Sequence, residues 1–236
     1  MKTIVAPSLL SCDFGRINEE SEMLNASTAD WFHLDVMDGV FVQDRTWPRQ
    51  NDDVLQSLIE QKRSLPNWER IDYEVDLMVS NPEEVAEQWF SAGAARVIVH
   101  SQSSDDYKGI VERLSNTYAM PGNLVSAEVG IAVPFDADVS VLEGIAEYVS
   151  VVQVMGISPV GVQGSEFKPR ALQTISEFRE VYPDLAISVD GGVKPELMGD
   201  LISAGVNRIV MGSAIFDTDV PRDELKNILK EVDVIE

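Results

Sequence analysis

The sequence of 236 residues predicts an α/β fold: a single closed barrel of eight parallel strands, each followed by a helix, with residues 1–236 as one domain. Three observations carry this expectation. Short apolar runs alternate with amphipathic stretches from end to end, the pattern of repeated β–α units. No composition shift or long linker divides the chain. The fingerprint G-x-G-x-x-G is absent after the first apolar run, which disfavours an open, doubly wound dinucleotide-binding sheet.

The elements follow from local chemistry in chain order. A strand read at about 3–8 leads to a helix near 14–26, and a strand at 30–37 to a helix near 52–63. The third strand, 72–79, precedes a helix at 82–92 that opens on Asn81-Pro82-Glu83-Glu84 and stops at Gly93. Proline suits the first helical turn, and glycine the left-handed residue beyond the last. Strands at 95–100, 124–132 and 149–155 alternate with helices near 105–117, 138–146 and 169–181. A strand at 185–190 is followed by a helix at 195–204, marked by Lys194-Pro195-Glu196 at its start and Gly205 at its end. The last strand, 207–212, precedes a helix near 222–230.

Successive strand residues point to opposite faces. In the second strand Phe32, Leu34 and Val36 suit the surface beneath the helices, which sends His33, Asp35 and Met37 inward. The third strand sends Tyr73, Val75 and Leu77 outward, with Glu74, Asp76 and Met78 inward. The seventh sets Leu185, Ile187 and Val189 against Ala186, Ser188 and Asp190. Ile4, Ala6 and Ser8 share one face of the first strand, and Val151, Gln153 and Met155 one face of the sixth.

The inward polar residues lie toward the C-terminal ends of their strands, the face on which barrel enzymes build active sites. Burying unpaired carboxylates together is costly, and a divalent cation offsets both desolvation and mutual repulsion. His33, Asp35, Asp76 and Asp190 are therefore a candidate metal site, the alternative being a salt-bridged or proton-sharing cluster. Met37, Met78 and Met155 suit core filling or a pocket wall, and Ser8 a backbone cap or a substrate contact. His100 is expected as a hydrogen-bonding residue at the rim, and Cys12 as a small apolar packing residue. Gly161 to Gly164, Gly191-Gly192 and Gly212-Ser213 fall after the last strands, where backbone N–H groups of such barrels cradle phosphate. Tight strand-to-helix turns are the plainer reading of any one of these loops.

Forty acidic residues against 18 basic ones give a formal net charge of −22. No Lys/Arg run offers the cations that nucleic acids or anionic membranes require. No stretch approaches the ~18 apolar residues of a membrane span. Met1-Lys2 and the run Ile4 to Leu10, broken by Asp13, lack a small-residue cleavage site, so no secretory signal is expected. One cysteine fits a reducing cytoplasm. Assembly into a homo-oligomer is compatible with the sequence and not specified by it.

The segments Ala6-Pro7-Ser8-Leu9-Leu10-Ser11-Cys12-Asp13-Phe14 and Phe32-His33-Leu34-Asp35-Val36-Met37-Asp38-Gly39-Val40-Phe41-Val42, followed by Val75-Asp76-Leu77-Met78, carry a further signal. With Val189-Asp190-Gly191-Gly192-Val193 and Gly212-Ser213-Ala214-Ile215-Phe216, they resemble the ribulose-phosphate 3-epimerase family along nearly the whole chain. That resemblance implies a TIM barrel with one divalent metal at its mouth (Fe, Mn, Zn, Co or Mg) and a phosphosugar substrate. It makes His33, Asp35 and Asp190 ligands, with Asp35 and Asp190 also the acid and base pair. Ser8 then contacts substrate, and Met37, Met78 and Met155 wall the reacting carbons. Two departures stand out. Asp76 replaces the family's histidine, and Ser158-Pro159-Val160-Gly161-Val162-Gln163-Gly164-Ser165 replaces its Asn-Pro-Gly-Phe-Gly-Gly-Gln loop and is one residue longer.

The activity so implied is exchange between D-ribulose 5-phosphate and D-xylulose 5-phosphate, by proton transfer at C3 through an enediolate. Two carboxyl groups on opposite sides of the carbon do this, one ionised and one protonated. Gly161, Val162, Gln163, Gly164, Gly191, Gly192, Gly212 and Ser213 are expected to bind substrate. An epimerase of another phosphoketose, such as a ketohexose 6-phosphate, and a non-catalytic phosphosugar-binding barrel are the alternatives. Barrel decarboxylases and synthases that use Asp-x-Lys-x-x-Asp are disfavoured, because Asp35-Val36-Met37-Asp38 has no lysine.

Overall fold

The computed structural model describes residues 2–11, 21–22, 24, 29–46, 59–60, 65, 67–119, 127–162 and 164–235. Eight parallel strands form one sheet: β1 (Ile4–Pro7), β2 (Trp31–Met37), β3 (Asp72–Met78), β4 (Arg96–His100), β5 (Glu128–Val133), β6 (Val151–Met155), β7 (Ala186–Asp190) and β8 (Arg208–Met211). Their order is β1-β8-β7-β6-β5-β4-β3-β2. A parallel bridge between Ser8 and His33 brings β1 round to β2. The result is the nearly closed (β/α)8 barrel that the alternation predicts.

Around it run α1 (Pro82–Ser91), α2 (Tyr107–Tyr118), α3 (Arg170–Val181), α4 (Met198–Ala204), α5 (Ser213–Phe216) and α6 (Pro221–Ile235). The expected helices near 14–26 and 52–63 lie mainly outside the described residues, as do Cys12 and the start of the expected fifth strand. The expected helix at 138–146 is instead two 3-10 turns, Val139–Leu142 and Ala146–Tyr148. Asp138 accepts the Ser140 N–H at the first of them, and Gly144, at φ +80°, breaks the run before a full α-helical turn develops. α5 was not expected. No described helix is long and apolar enough to cross a membrane.

Strand parity sorts the walls as read. Phe32, Leu34, Val36, Tyr73, Val75, Leu77, Ile187 and Val189 are buried against helix residues such as Val85, Trp89, Val111, Ile175 and Phe178. Each such large apolar side chain contributes about 1.5–3 kcal/mol on leaving water. At the N-terminal end the interior is ionic. Arg96 Nη1 donates to Glu74 Oε2 at 3.0 Å, and Arg208 Nε to Glu74 Oε1 at 3.0 Å. The two guanidinium carbons lie 4.3 and 4.6 Å from the Trp31 ring centre, near enough for cation–π attraction. This plug closes one end of the barrel and leaves the chemistry to the other.

Candidate active site

β2 and β3 pair in register, with His33 beside Glu74 and Asp35 beside Asp76. Inward parity therefore stacks two polar layers across these strands. From the far side β7 ends at Asp190, opposite Met155 of β6. The outcome is a compact set: His33, Asp35, Asp76 and Asp190 each offer an atom, all within 4.8 Å of one another. His33 Nε2 lies 3.7 Å from Asp35 Oδ1 and 4.0 Å from Asp190 Oδ2. Ser8, at the closing bridge, donates its hydroxyl to Asp35 Oδ2 at 2.7 Å.

The two acids are driven in opposite directions. Burial pushes the Asp35 carboxyl up, but the His33 imidazole and the Ser8 hydroxyl outweigh it and hold the group below its ordinary value. At Asp190 burial also pushes upward, and the neighbouring charges of Asp35, Asp76 and Glu74 add to it against the pull of His33. Asp190 consequently holds its proton well above the usual carboxylate range. Burial alone would depress His33, yet Asp35 and Glu74 overcome it and raise the imidazole well above its ordinary value. The pocket thus favours a positive charge at its centre.

Glu74, inward by parity, stands beside the cluster as a further buried carboxylate. Burial raises its carboxyl, while Arg208, His33 and Arg96 together hold it far below the ordinary value. This ionised group lies 2.8 Å from His33 Nδ1 and so accepts the Nδ1 proton. Nε2 is left as the buried ring nitrogen with no hydrogen-bond partner among the described residues. An orphaned imidazole nitrogen, ringed by carboxylates and oriented by an outer carboxylate, suits a divalent cation. One nitrogen and three carboxylates match Mn, Fe, Mg, Co or Zn rather than a thiophilic ion.

Above the cluster opens a cleft whose non-atom space, open mouth included, is about 610 Å³. Ser8, Asp35, Met37, Met78, Met155, Gly161, Val162, Gly164, Asp190, Gly191, Gly192, Gly212 and Ser213 line it, all singled out in the sequence. His33 and Asp76 lie beneath, and Gln163 falls outside the described residues. Leu10, Ile157, Val193 and Val210 also line the cleft. Val210 pairs with Ala6 of β1, a register that the sequence pattern of a single strand does not encode. His100, expected at the rim, is instead buried at 2% exposure, with Nε2 2.8 Å from Asp76 Oδ1.

The loop after β7 depends on glycine. Gly191 and Gly192 have φ of +97° and +67°, where side chains are strained. A Cβ on Gly192 would stand 2.8 Å from the Phe167 nitrogen and 2.9 Å from the Ser165 carbonyl oxygen. The β7 loop therefore presses its bare backbone against the β6 loop, and both contribute residues to the cleft lining.

Comparison with solved structures agrees on the barrel. The chain superimposes on 3-hexulose-6-phosphate synthase from Salmonella typhimurium with a TM-score of 0.70 at 14% identity, each covered in full. With orotidine 5'-phosphate decarboxylase from Pyrococcus horikoshii the TM-score is 0.59 at 18% identity, over 98% of this chain and 99% of the other. These likenesses establish the fold alone. Sequence relatives are nearer. The cytoplasmic isoform of ribulose-phosphate 3-epimerase from Oryza sativa subsp. japonica is 33% identical over 230 residues, 97% of this chain and 94% of the relative. Ribulose-phosphate 3-epimerase from Synechocystis sp. is 32% identical over 218 residues, 91% and 87% of the two chains. The "Ribulose-phosphate 3 epimerase family" model matches residues 4–216, from the first strand to the helix after the last, and the chain belongs to that family.

Proposed function

We propose that this protein interconverts D-ribulose 5-phosphate and D-xylulose 5-phosphate, with Asp35 and Asp190 carrying the C3 proton. One observation supports the reading above all: two carboxyls carried by different strands, Asp35 on β2 and Asp190 on β7, both lie within 4.0 Å of the same imidazole nitrogen. Asp35, ionised and braced by the Ser8 hydroxyl, takes the proton from one face of C3. Asp190, protonated, returns one to the other face. A turnover exchanges the states of the pair, so the reverse reaction starts where the forward one ends. A divalent cation held by His33, Asp35, Asp76 and Asp190 supplies, when bound, positive charge beside the oxygens on which the enediolate's charge develops.

Met37, Met78 and Met155 surround the reacting carbons with polarizable side chains that hold no acidic proton and keep water away. The phosphate binds to backbone N–H groups of Gly161, Val162, Gly164, Gly191, Gly192, Gly212 and Ser213, which line the cleft. Peptide dipoles provide there the local positive field that a net charge of −22 withholds. The names of the rice and cyanobacterial relatives favour a ketopentose phosphate over a ketohexose phosphate, and the single cysteine supports work in the cytoplasm. The test is purified protein with D-ribulose 5-phosphate in deuterium oxide, followed by NMR. Deuterium should enter C3 as xylulose 5-phosphate forms. Phosphosugar binding with no C3 label, in the presence of Mn²⁺, Fe²⁺, Co²⁺, Zn²⁺ or Mg²⁺, would favour a binding protein instead.

A further inference from the structure

Asp76 is fully buried in mid-barrel, and its two oxygens have separate neighbours. Gln153 Nε2 donates to Oδ2 at 3.2 Å. His100 Nε2 stands 2.8 Å from Oδ1, but the pair is not in hydrogen-bond alignment, and neither atom has a hydrogen-bond partner among the described residues. The imidazole nevertheless stands against Oδ1 and limits where that oxygen can move. His100 is itself immobilised. Its backbone carbonyl accepts from the Ser103 N–H at 3.0 Å and the Ser103 hydroxyl at 2.7 Å. The Phe41 ring packs against the imidazole, 5.4 Å between centres and tilted by 58°.

We propose that His100 is a positioning residue for the cation site, holding the Asp76 carboxylate so that it presents an oxygen to the group formed with His33, Asp35 and Asp190. The inference rests on the metal reading above and extends it to a residue on β4 outside that group. A carboxylate on a one-carbon stem is turned by whichever neighbours grip it. Gln153 alone fixes one oxygen and leaves the plane free to rotate. The imidazole packed 2.8 Å from Oδ1 restricts that freedom before a cation arrives. Outer partners of this kind typically govern metal affinity by about 10–100-fold.

The measurement is calorimetric titration of chelator-stripped protein with Mn²⁺ alone. Wild-type protein should bind one ion, and His100→Leu should raise its Kd by about 10–100-fold. His100→Gln, which keeps a polar side chain of similar reach beside Oδ1, should recover most of that loss. In an Asp76→Ala background, His100→Leu should weaken binding no further, because the histidine acts through Asp76. If circular dichroism shows the leucine variant unfolded, His100→Asn replaces it, since its shorter amide falls short of Asp76. Wild-type affinity in the leucine or asparagine variant, failure of glutamine to rescue, or a full additional loss on top of Asp76→Ala would each overturn the proposal while leaving the metal reading intact. Wild-type protein that binds neither Mn²⁺, Zn²⁺ nor Fe²⁺ would overturn the metal reading and this proposal with it.

Discussion

Replacing Asp35 or Asp190 by asparagine keeps each side chain's shape and removes its ability to carry a proton. Each variant should remain folded by circular dichroism and lose at least about 10²–10⁴-fold in kcat, the usual contribution of general acid–base catalysis. Near-normal turnover in either would dispose of the two-carboxylate mechanism. Asp38 is a contrasting acid three residues past Asp35. Its Oδ1 accepts from the Val40 and Phe41 N–H groups at 2.8 and 2.9 Å. Its Oδ2 accepts from the Ser80 N–H and hydroxyl at 2.7 and 2.8 Å, so the carboxylate ties the loop after β2 to the one after β3. Burial raises this carboxyl, but those hydrogen bonds prevail and hold it below its ordinary value. A depressed folded-state value means a stabilisation present above the unfolded value of about 3.9 and lost as pH falls through the lower folded value. Asp38→Asn should thus cost about 1–3 kcal/mol at neutral pH, with the gap to wild type narrowing below about pH 4 in urea titrations. A gap independent of pH would mean that the charge on Asp38 does not matter.

Among the elements, the loop after β7 is the least tolerant of change. A methyl group at Gly192 meets backbone on two sides and a left-handed φ of +67°. Gly192→Ala should therefore raise KM for ribulose 5-phosphate about tenfold or more through displaced phosphate-binding amides, with a smaller effect on kcat, as steady-state kinetics would reveal. An unchanged KM would remove that loop from the phosphate site. Strand identity was legible because period-two alternation between buried apolar and inward polar residues is strong in β2, β3 and β7. The segment 138–146 carries the apolar residues Val139, Val141, Leu142 and Ile145 at spacings a helix also shows, but Gly144 at φ +80° interrupts it. The short α5 has too few residues for any periodicity to register.

At the scale of the molecule, the convergence of His33, Asp35, Asp76 and Asp190 could be expected from inward parity. Their supporting partners could not. Glu74 acquires meaning only once register sets it beside His33, and His100 and Gln153 only once the barrel curls β4 and β6 toward Asp76. Such pairings depend on strand stagger, which one-strand patterns do not encode. Closure has a consequence of its own. Hydrogen-bonded ladders join neighbours all the way from β1 through β8 to β2, whereas β1 meets β2 at the Ser8–His33 bridge, backed by the Ser8 hydroxyl on Asp35. The barrel is in effect a split ring, and its clasp ties Ser8 to His33 and Asp35, two of the residues that would grip the ion. Loading with Mn²⁺ should fasten the clasp, slowing amide hydrogen exchange at 4–7 and 31–37 more than in β5 and β6 across the ring. Uniform slowing would deny the seam any special role; selective slowing would mean that this enzyme finishes its own architecture each time it takes up its cofactor.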